Sequence, residues 1–252
     1  MNKNKKYSYY LVNPGGNVTA LVYGKYPSEI RQKISQVLFK KHGKEIEQVG
    51  FFWNSRKPMS VCLAMAGDEF CGNAIRSLAF LYGKKNNLKN VSVILPGMKK
   101  QYLCVIGKNQ STLVIPKRDC VVLWNHYSNV CLPGISHTVA ISKTFKTLTQ
   151  TIKKILTTSS EPASGFMSAK YITNGMYELR PYVFVKKVKT FFQESACASG
   201  TVAVAVSLYE KTKKKTFRIV QPSGSIYSVK IDSKNNNVLL KGPIWSVSQD
   251  TI

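Results

Sequence analysis

Phe70-Cys71-Gly72-Asn73-Ala74-Ile75-Arg76-Ser77-Leu78-Ala79-Phe80-Leu81-Tyr82 is echoed later in the chain by Ala196-Cys197-Ala198-Ser199-Gly200-Thr201-Val202-Ala203-Val204-Ala205-Val206-Ser207-Leu208-Tyr209, with the cysteines 126 residues apart in a chain of 252. In each copy an acidic residue (Glu69, Glu194) stands two or three places before the cysteine. Small residues follow it, then an apolar run closed by Leu-Tyr and lysines. A strand-like segment and a proline turn come next in both, and Cys71 lies 25 residues before Pro96 as Cys197 does before Pro222. Cysteine, helix, strand and turn in register at half the chain length identify a duplicated unit.

Working outward, residues 27–42 carry Ile30, Ile34, Val37 and Leu38 at helical spacing, with Pro27 suited to a first turn. The counterpart in the second half is expected over 144–157, burying Phe145, Leu148, Ile152 and Ile155. Short β-branched and aromatic runs at 7–12, 19–23, 48–53, 112–115, 120–124, 137–141, 182–188, 225–231 and 238–240 read as strands. The expected fold is therefore α+β: two pseudo-symmetric domains, each a mostly antiparallel sheet wrapped around a central helix. The expected division is 1–125, carrying Cys71, and 126–252, carrying Cys197, with the last strand packing back on the first half.

Composition excludes several classes. An apolar content of 44% with only 19% charged residues argues against disorder. The longest apolar run, 201–209, is about half of what a membrane helix needs. The lysine-rich start at 1–6 has the charge of a signal peptide, but the apolar stretch behind it ends in Asn13-Pro14-Gly15-Gly16 and reads as a strand. A formal charge of +25 invites a nucleic-acid reading, yet the first 126 residues hold 20 basic and 6 acidic groups and the remainder 17 and 6. Spread that evenly, the excess describes a basic surface and predicts no specific nucleic-acid partner. Six cysteines and three histidines show no metal-ligand spacing, so no metal is expected; without an export signal no disulfide framework is expected either. Cys62, Cys104, Cys120 and Cys131 read as small core residues.

Cys71 and Cys197 stand at helix starts, where unpaired backbone N–H groups and the positive dipole end lower a thiol pKa and attract anions. Two such thiols at equivalent positions of two halves predict a cleft with one thiol on each side. A substrate between them has a base on one face and an acid on the other, the arrangement that inverts a stereocentre. Small residues after each cysteine let amides approach a carboxylate.

The phrases 70–76 and 194–201 resemble the two signatures of the diaminopimelate epimerase superfamily, cofactor-independent racemases and epimerases that use two cysteines. With Glu47-Gln48-Val49-Gly50-Phe51 upstream, the longer phrase 65–74 is most similar to the histidine racemase branch, whose members supply D-histidine for metallophores such as staphylopine. The resemblance implies no cofactor, with Cys71 and Cys197 as base and acid. It further implies that Gly72, Asn73, Ala198 and Ser199 surround the substrate carboxylate and that Asn17 lines the cleft. His137 resembles the histidine beside a catalytic thiol, without the Asn-Pro that precedes it in the epimerases. Glu47 is the expected contact to an imidazole.

Departures weigh against diaminopimelate: Val188-Lys189 replaces the Glu-Arg pair that would clamp a second amino-acid head group, and Ala198 replaces the usual glycine. The leading expectation is thus an amino-acid racemase acting on histidine. A diaminopimelate epimerase, and a basic binding protein that kept the fold without the chemistry, stand as alternatives. The expected setting is cytoplasmic, with a small amino-acid substrate, no membrane contact, and a second copy of the chain as homodimer partner.

Overall fold

Cys71 and Cys197 each end an extended stretch, with φ of −129° and −127°, and their sulfurs accept hydrogen bonds from the third following N–H, at Ala74 and Gly200, both 3.2 Å. A side-chain acceptor at this position satisfies one of the donors that a helix start leaves unpaired. The helices they open are the centres around which the rest of the chain is wound. The computed structural model describes residues 6–252 apart from Asn125 and Asn174. The lysine-rich start through residue 5, and residue 125 at the expected division, lie outside the described residues.

The elements run β1 (Ser8–Asn13), β2 (Thr19–Tyr23), α1 (Ser28–His42), β3 (Gln48–Asn54), β4 (Ser60–Met65), α2 (Gly72–Lys85), β5 (Asn90–Leu95), β6 (Lys100–Ile106) and β7 (Gln110–Pro116). They continue as β8 (Val121–Trp124), β9 (Ser128–Leu132), β10 (Ile135–Ser142), α3 (Gln150–Thr158), β11 (Ala163–Thr173), β12 (Met176–Val185), β13 (Thr190–Gln193), α4 (Ala198–Thr212), β14 (Thr216–Val220), β15 (Ile226–Asp232), β16 (Asn237–Pro243) and β17 (Ser246–Thr251). The two halves pair alike. β1–β2 is antiparallel, β2–β3 parallel, β3–β4 antiparallel, β4–β5 parallel, and β5–β6–β7 antiparallel. The second half repeats this order with β9, β10, β11, β12, β14, β15 and β16, β13 being an added strand on β12. The expected α+β fold, mostly antiparallel around two central helices, is what the chain adopts.

Three strand pairings sew the halves together. β7 and β16 pair antiparallel over seven residues, making one continuous sheet. The last strand of each repeat crosses over: β17 pairs with β1, and β8 with β9. By pairing, β8 goes with the second half although it precedes residue 126.

α2 is buried from Gly72 through Leu81 and α4 from Ala198 through Leu208, as a helix enclosed on all sides must be. Arg76 is the largest fully buried side chain, and it is held without a carboxylate. Its guanidinium donates to the carbonyls of Ser111 (3.3 Å) and Pro243 (3.0 Å) and to Asn73 Oδ1 (3.3 Å), and it stacks 4.7 Å from the Tyr227 ring centroid. One side chain from α2 thus grips both halves.

Three local expectations are corrected. The helix expected over 144–157 begins only at Gln150, because Thr149 caps it by accepting from Ile152 N–H at 3.2 Å. Leu156 is its buried residue, while Ile155 is 57% exposed and Phe145 lies outside the helix, under the Arg180 guanidinium. In α1, Ile34 and Leu38 are buried but Val37 is exposed, since the stripe follows the i, i+4 line. The strand expected through residue 188 stops at Val185, where a turn places Lys189 at φ 53°. No described helix is long and apolar enough to cross a membrane.

Candidate active site

The helix starts of α2 and α4 abut. A Cβ built on Gly72 would lie 2.9 Å from Ala198 Cβ, closer than real methyl contacts allow. This explains the glycine at 72 and shows that the methyl of Ala198 fits only because 72 lacks one. Gly72→Ala is expected to push the helix ends apart, lowering stability by about 1–3 kcal/mol, as overpacking does. The double change Gly72→Ala/Ala198→Gly should restore the wild-type urea midpoint; a single variant as stable as wild type would contradict this contact.

Cys71 and Cys197 line a small closed cleft together with Gly72, Asn73, Ala198 and Ser199, and the thiols are 4% and 2% exposed. Burial pushes both thiols well above the ordinary cysteine pKa, and the carboxyls of Glu69 and Glu194 beside Cys71, and of Glu194 beside Cys197, push the same way. The amides of Ala74, Asn73 and Gly200 pull down by less. The lowering expected from helix-start amides is therefore outweighed: taking a charge out of water is the larger effect here.

Asn17, Glu47, His137 and the helix-start residues all come to this region. Asn73 Nδ2 donates to Ala196 O (2.9 Å), tying the start of α2 to the loop before Cys197. His137, on β10, is fully buried with Nε2 2.9 Å from Ser199 Oγ, and Ser199 Oγ lies 3.6 Å from Cys197 Sγ. Burial holds His137 down to about 3, so it is neutral and orients Ser199 rather than supplying charge. Glu47 is committed to the chain itself. Its carboxylate accepts from Ser195 N–H (3.1 Å), Ser195 Oγ and Asn17 Nδ2 (3.1 Å), fixing the loop that carries Cys197. Glu47 also lines the cavity next to the thiol cleft.

Several site residues were not singled out from sequence. Gln48 accepts from the Cys71 thiol and donates to Glu194 Oε1 (3.0 Å), and Glu194 is hydrogen-bonded in turn to Cys197. Gln48 and Glu194 thereby join the two thiols on one side of the cleft. Burial, then the charge of Glu47, pushes Glu194 up to about 8. Gln221 accepts from Cys197 N–H (2.9 Å) and donates to Thr201 Oγ1 (2.9 Å), seating the second thiol from below. The acidic residue before each cysteine was the visible signal for Glu69 and Glu194; nothing in the sequence marked Gln221.

The six cysteines are free, and among the described residues no group of three or more His, Cys, Asp or Glu is placed to hold a metal ion.

Among solved structures, a predicted epimerase from Pseudomonas aeruginosa superposes with a TM-score of 0.68 at 10% identity, covering 97% of this chain and 99% of that one. A hydroxyproline epimerase from Agrobacterium vitis, with bound trans-4-hydroxy-L-proline, gives 0.61 at 10% identity, covering 100% and 94%. At that identity they show the shared fold. Histidine racemase of Fusobacterium nucleatum subsp. nucleatum (strain ATCC 23726) is 27% identical over 265 aligned positions, covering 96% of this chain and 95% of the relative. Histidine racemase of Staphylococcus aureus (strain Mu50) is 26% identical over 262, covering 94% and 93%. The profile of the histidine racemase CntK N-terminal domain matches residues 6–249, the span over which both helix-start thiols and the doubled sheet are built, and the chain therefore belongs to the histidine racemase family of isomerases.

Proposed function

We propose that the protein racemises histidine by moving the α-proton between Cys71 and Cys197. The observation that carries this reading is the pair of buried thiols capping two pseudo-equivalent helices whose first residues touch. The substrate carboxylate sits at the joined helix starts, where the amides of Gly72, Asn73, Ala198 and Ser199 stabilise the charge that grows as the α-proton leaves. One cysteine, as thiolate, takes that proton, and the other, as thiol, gives its own to the opposite face. The roles reverse for the other enantiomer. Glu194, hydrogen-bonded to Cys197, takes the Cys197 proton when ionised, leaving thiolate and carboxylic acid in its place.

Histidine is favoured over diaminopimelate by the wall of the neighbouring cavity. Val188, where the epimerases carry the glutamate of their clamp, lines that cavity with Val183, Val185 and Phe192, and no Lys or Arg stands among the lining residues to hold a second carboxylate. We place the enzyme in the cytoplasm as a homodimer, in keeping with a small-molecule racemase. Incubation of the pure protein with L-histidine, other L-amino acids and diaminopimelate, followed by chiral separation, tests the reading. Fastest formation of the D-form is expected with histidine; preferential epimerisation of diaminopimelate would overturn it.

A further inference from the structure

We propose that the cavity adjoining the thiol cleft receives the substrate side chain, and that Glu69 selects histidine by accepting a hydrogen bond from the imidazole N–H. This deepens the histidine reading and rests on it. The thiol cleft and the adjoining cavity share the walls formed by Gln48, Glu69, Val183, Val185 and Glu194. A substrate with its α-carbon between the thiols and its carboxylate on the helix starts must send its side chain away from both helices, and the shared wall is where the cleft continues.

The charge there is opposite to that of the rest of the molecule. Three of the twelve acidic residues in a chain of net charge +25, Glu47, Glu69 and Glu194, line this space, among valines and phenylalanines. Apolar walls with buried carboxyls suit a flat ring bearing N–H donors.

The three carboxyls are not equally available. Glu47 is taken by Ser195 and Asn17, and Glu194 by Gln48, Cys197 and Asn17. Glu69 is 7% exposed; the backbone N–H groups of Glu69 and Gly67 steady its carboxyl, while its Oε2 is buried without a hydrogen-bond partner. Buried polar atoms are nearly always paired, so an orphaned acceptor on a cavity wall marks where a ligand donor belongs. Burial also raises the Glu69 pKa to about 7, so that an imidazole arriving near neutral pH meets a carboxyl that ionises readily.

The test compares wild type, Glu69→Gln and Glu69→Leu, measuring kcat and KM for L-histidine and the inhibition constant of L-leucine against histidine. Loss of a hydrogen bond to a charged group is expected to raise KM for histidine by about 10- to 100-fold in Glu69→Leu. Leucine should inhibit that variant at least as well as wild type. Glu69→Gln, which keeps the shape and an acceptor oxygen, should lose less and should lose the dependence of KM on a group titrating near pH 7. An unchanged histidine KM in both variants, or parallel weakening of histidine and leucine, would overturn the assignment while leaving the racemase reading intact. A wild type that racemises other amino acids but not histidine would overturn both. Should Glu69→Leu fail to fold, Glu69→Gln decides by the same split between the histidine KM and leucine inhibition.

Discussion

Serine at Cys71 or at Cys197 is expected to lower racemisation by about 10²- to 10⁴-fold, the usual worth of a positioned acid or base. Serine has the shape but does not ionise in the working range. The two variants should differ in what survives. With one thiol left, that thiol still faces one side of the α-carbon, so residual exchange with solvent is confined to one enantiomer, and to opposite enantiomers in the two variants. Cys62→Ser and Cys120→Ser, which remove thiols from β4 and from the turn before β8, should keep most activity. Chiral analysis with mass detection of α-deuterium reads all four. Equal tolerance at the four positions would make Cys71 and Cys197 packing residues; exchange of the same enantiomer by both site variants would remove the facing arrangement.

Stability should fall as pH rises from 6.5 to 8.5. Glu69 and Glu194 hold folded-state pKa values of about 7 and about 8, because burial penalises their charge. An unfolded glutamate titrates near pH 4.3, so the folded chain binds more protons than the unfolded one between these limits. Stability from a raised carboxyl is complete below the unfolded value and is lost as pH climbs through the folded one. His137, held down to about 3, works in the opposite sense, but only below its unfolded value near 6.5. The window above 6.5 therefore leaves His137 out; the carboxyl share of the loss across it is on the order of 2–3 kcal/mol, and the buried thiols of Cys71 and Cys197, also raised, add to the fall as unfolded cysteine begins to ionise near pH 8.5. Urea midpoints at the two pH values measure it. Glu194→Gln should flatten the dependence; identical midpoints for wild type at both pH values would show that these carboxyls are not buried as described.

The repeat made the architecture legible. Thr201–Val206 alternates valine with alanine, which alone suits a strand as well as a helix; its register with 72–82 identified α4 as a helix. That both thiols and the helix-start residues meet was legible because local phrases carry them, whereas Asn17 and His137 reach the region through Glu47 and Ser199 and do not line the cleft. What failed depended on tertiary surroundings. The thiol pKa direction reversed because burial, which no local phrase records, exceeds the effect of the amides. The partners that hold Glu47, Ser195 and Asn17, reach it only after folding. The start of α3 was misplaced because periodicity ran past the cap at Thr149. The crossing of β8 to the second half has no local signature, while β17 pairs with β1 as expected of the last strand.

The most direct test of the two-thiol account is the isotopic content of histidine in the first few percent of reaction in D₂O. A thiol on the product side carries solvent deuterium, whereas the thiol that takes the substrate proton lies on the other face. D-histidine formed early from L-histidine should therefore carry one α-deuterium, while the recovered L-histidine remains unlabelled. Deuterium entering recovered L-histidine as fast as D-histidine forms, in the wild-type protein, would mean that a single base serves both faces and would contradict the account.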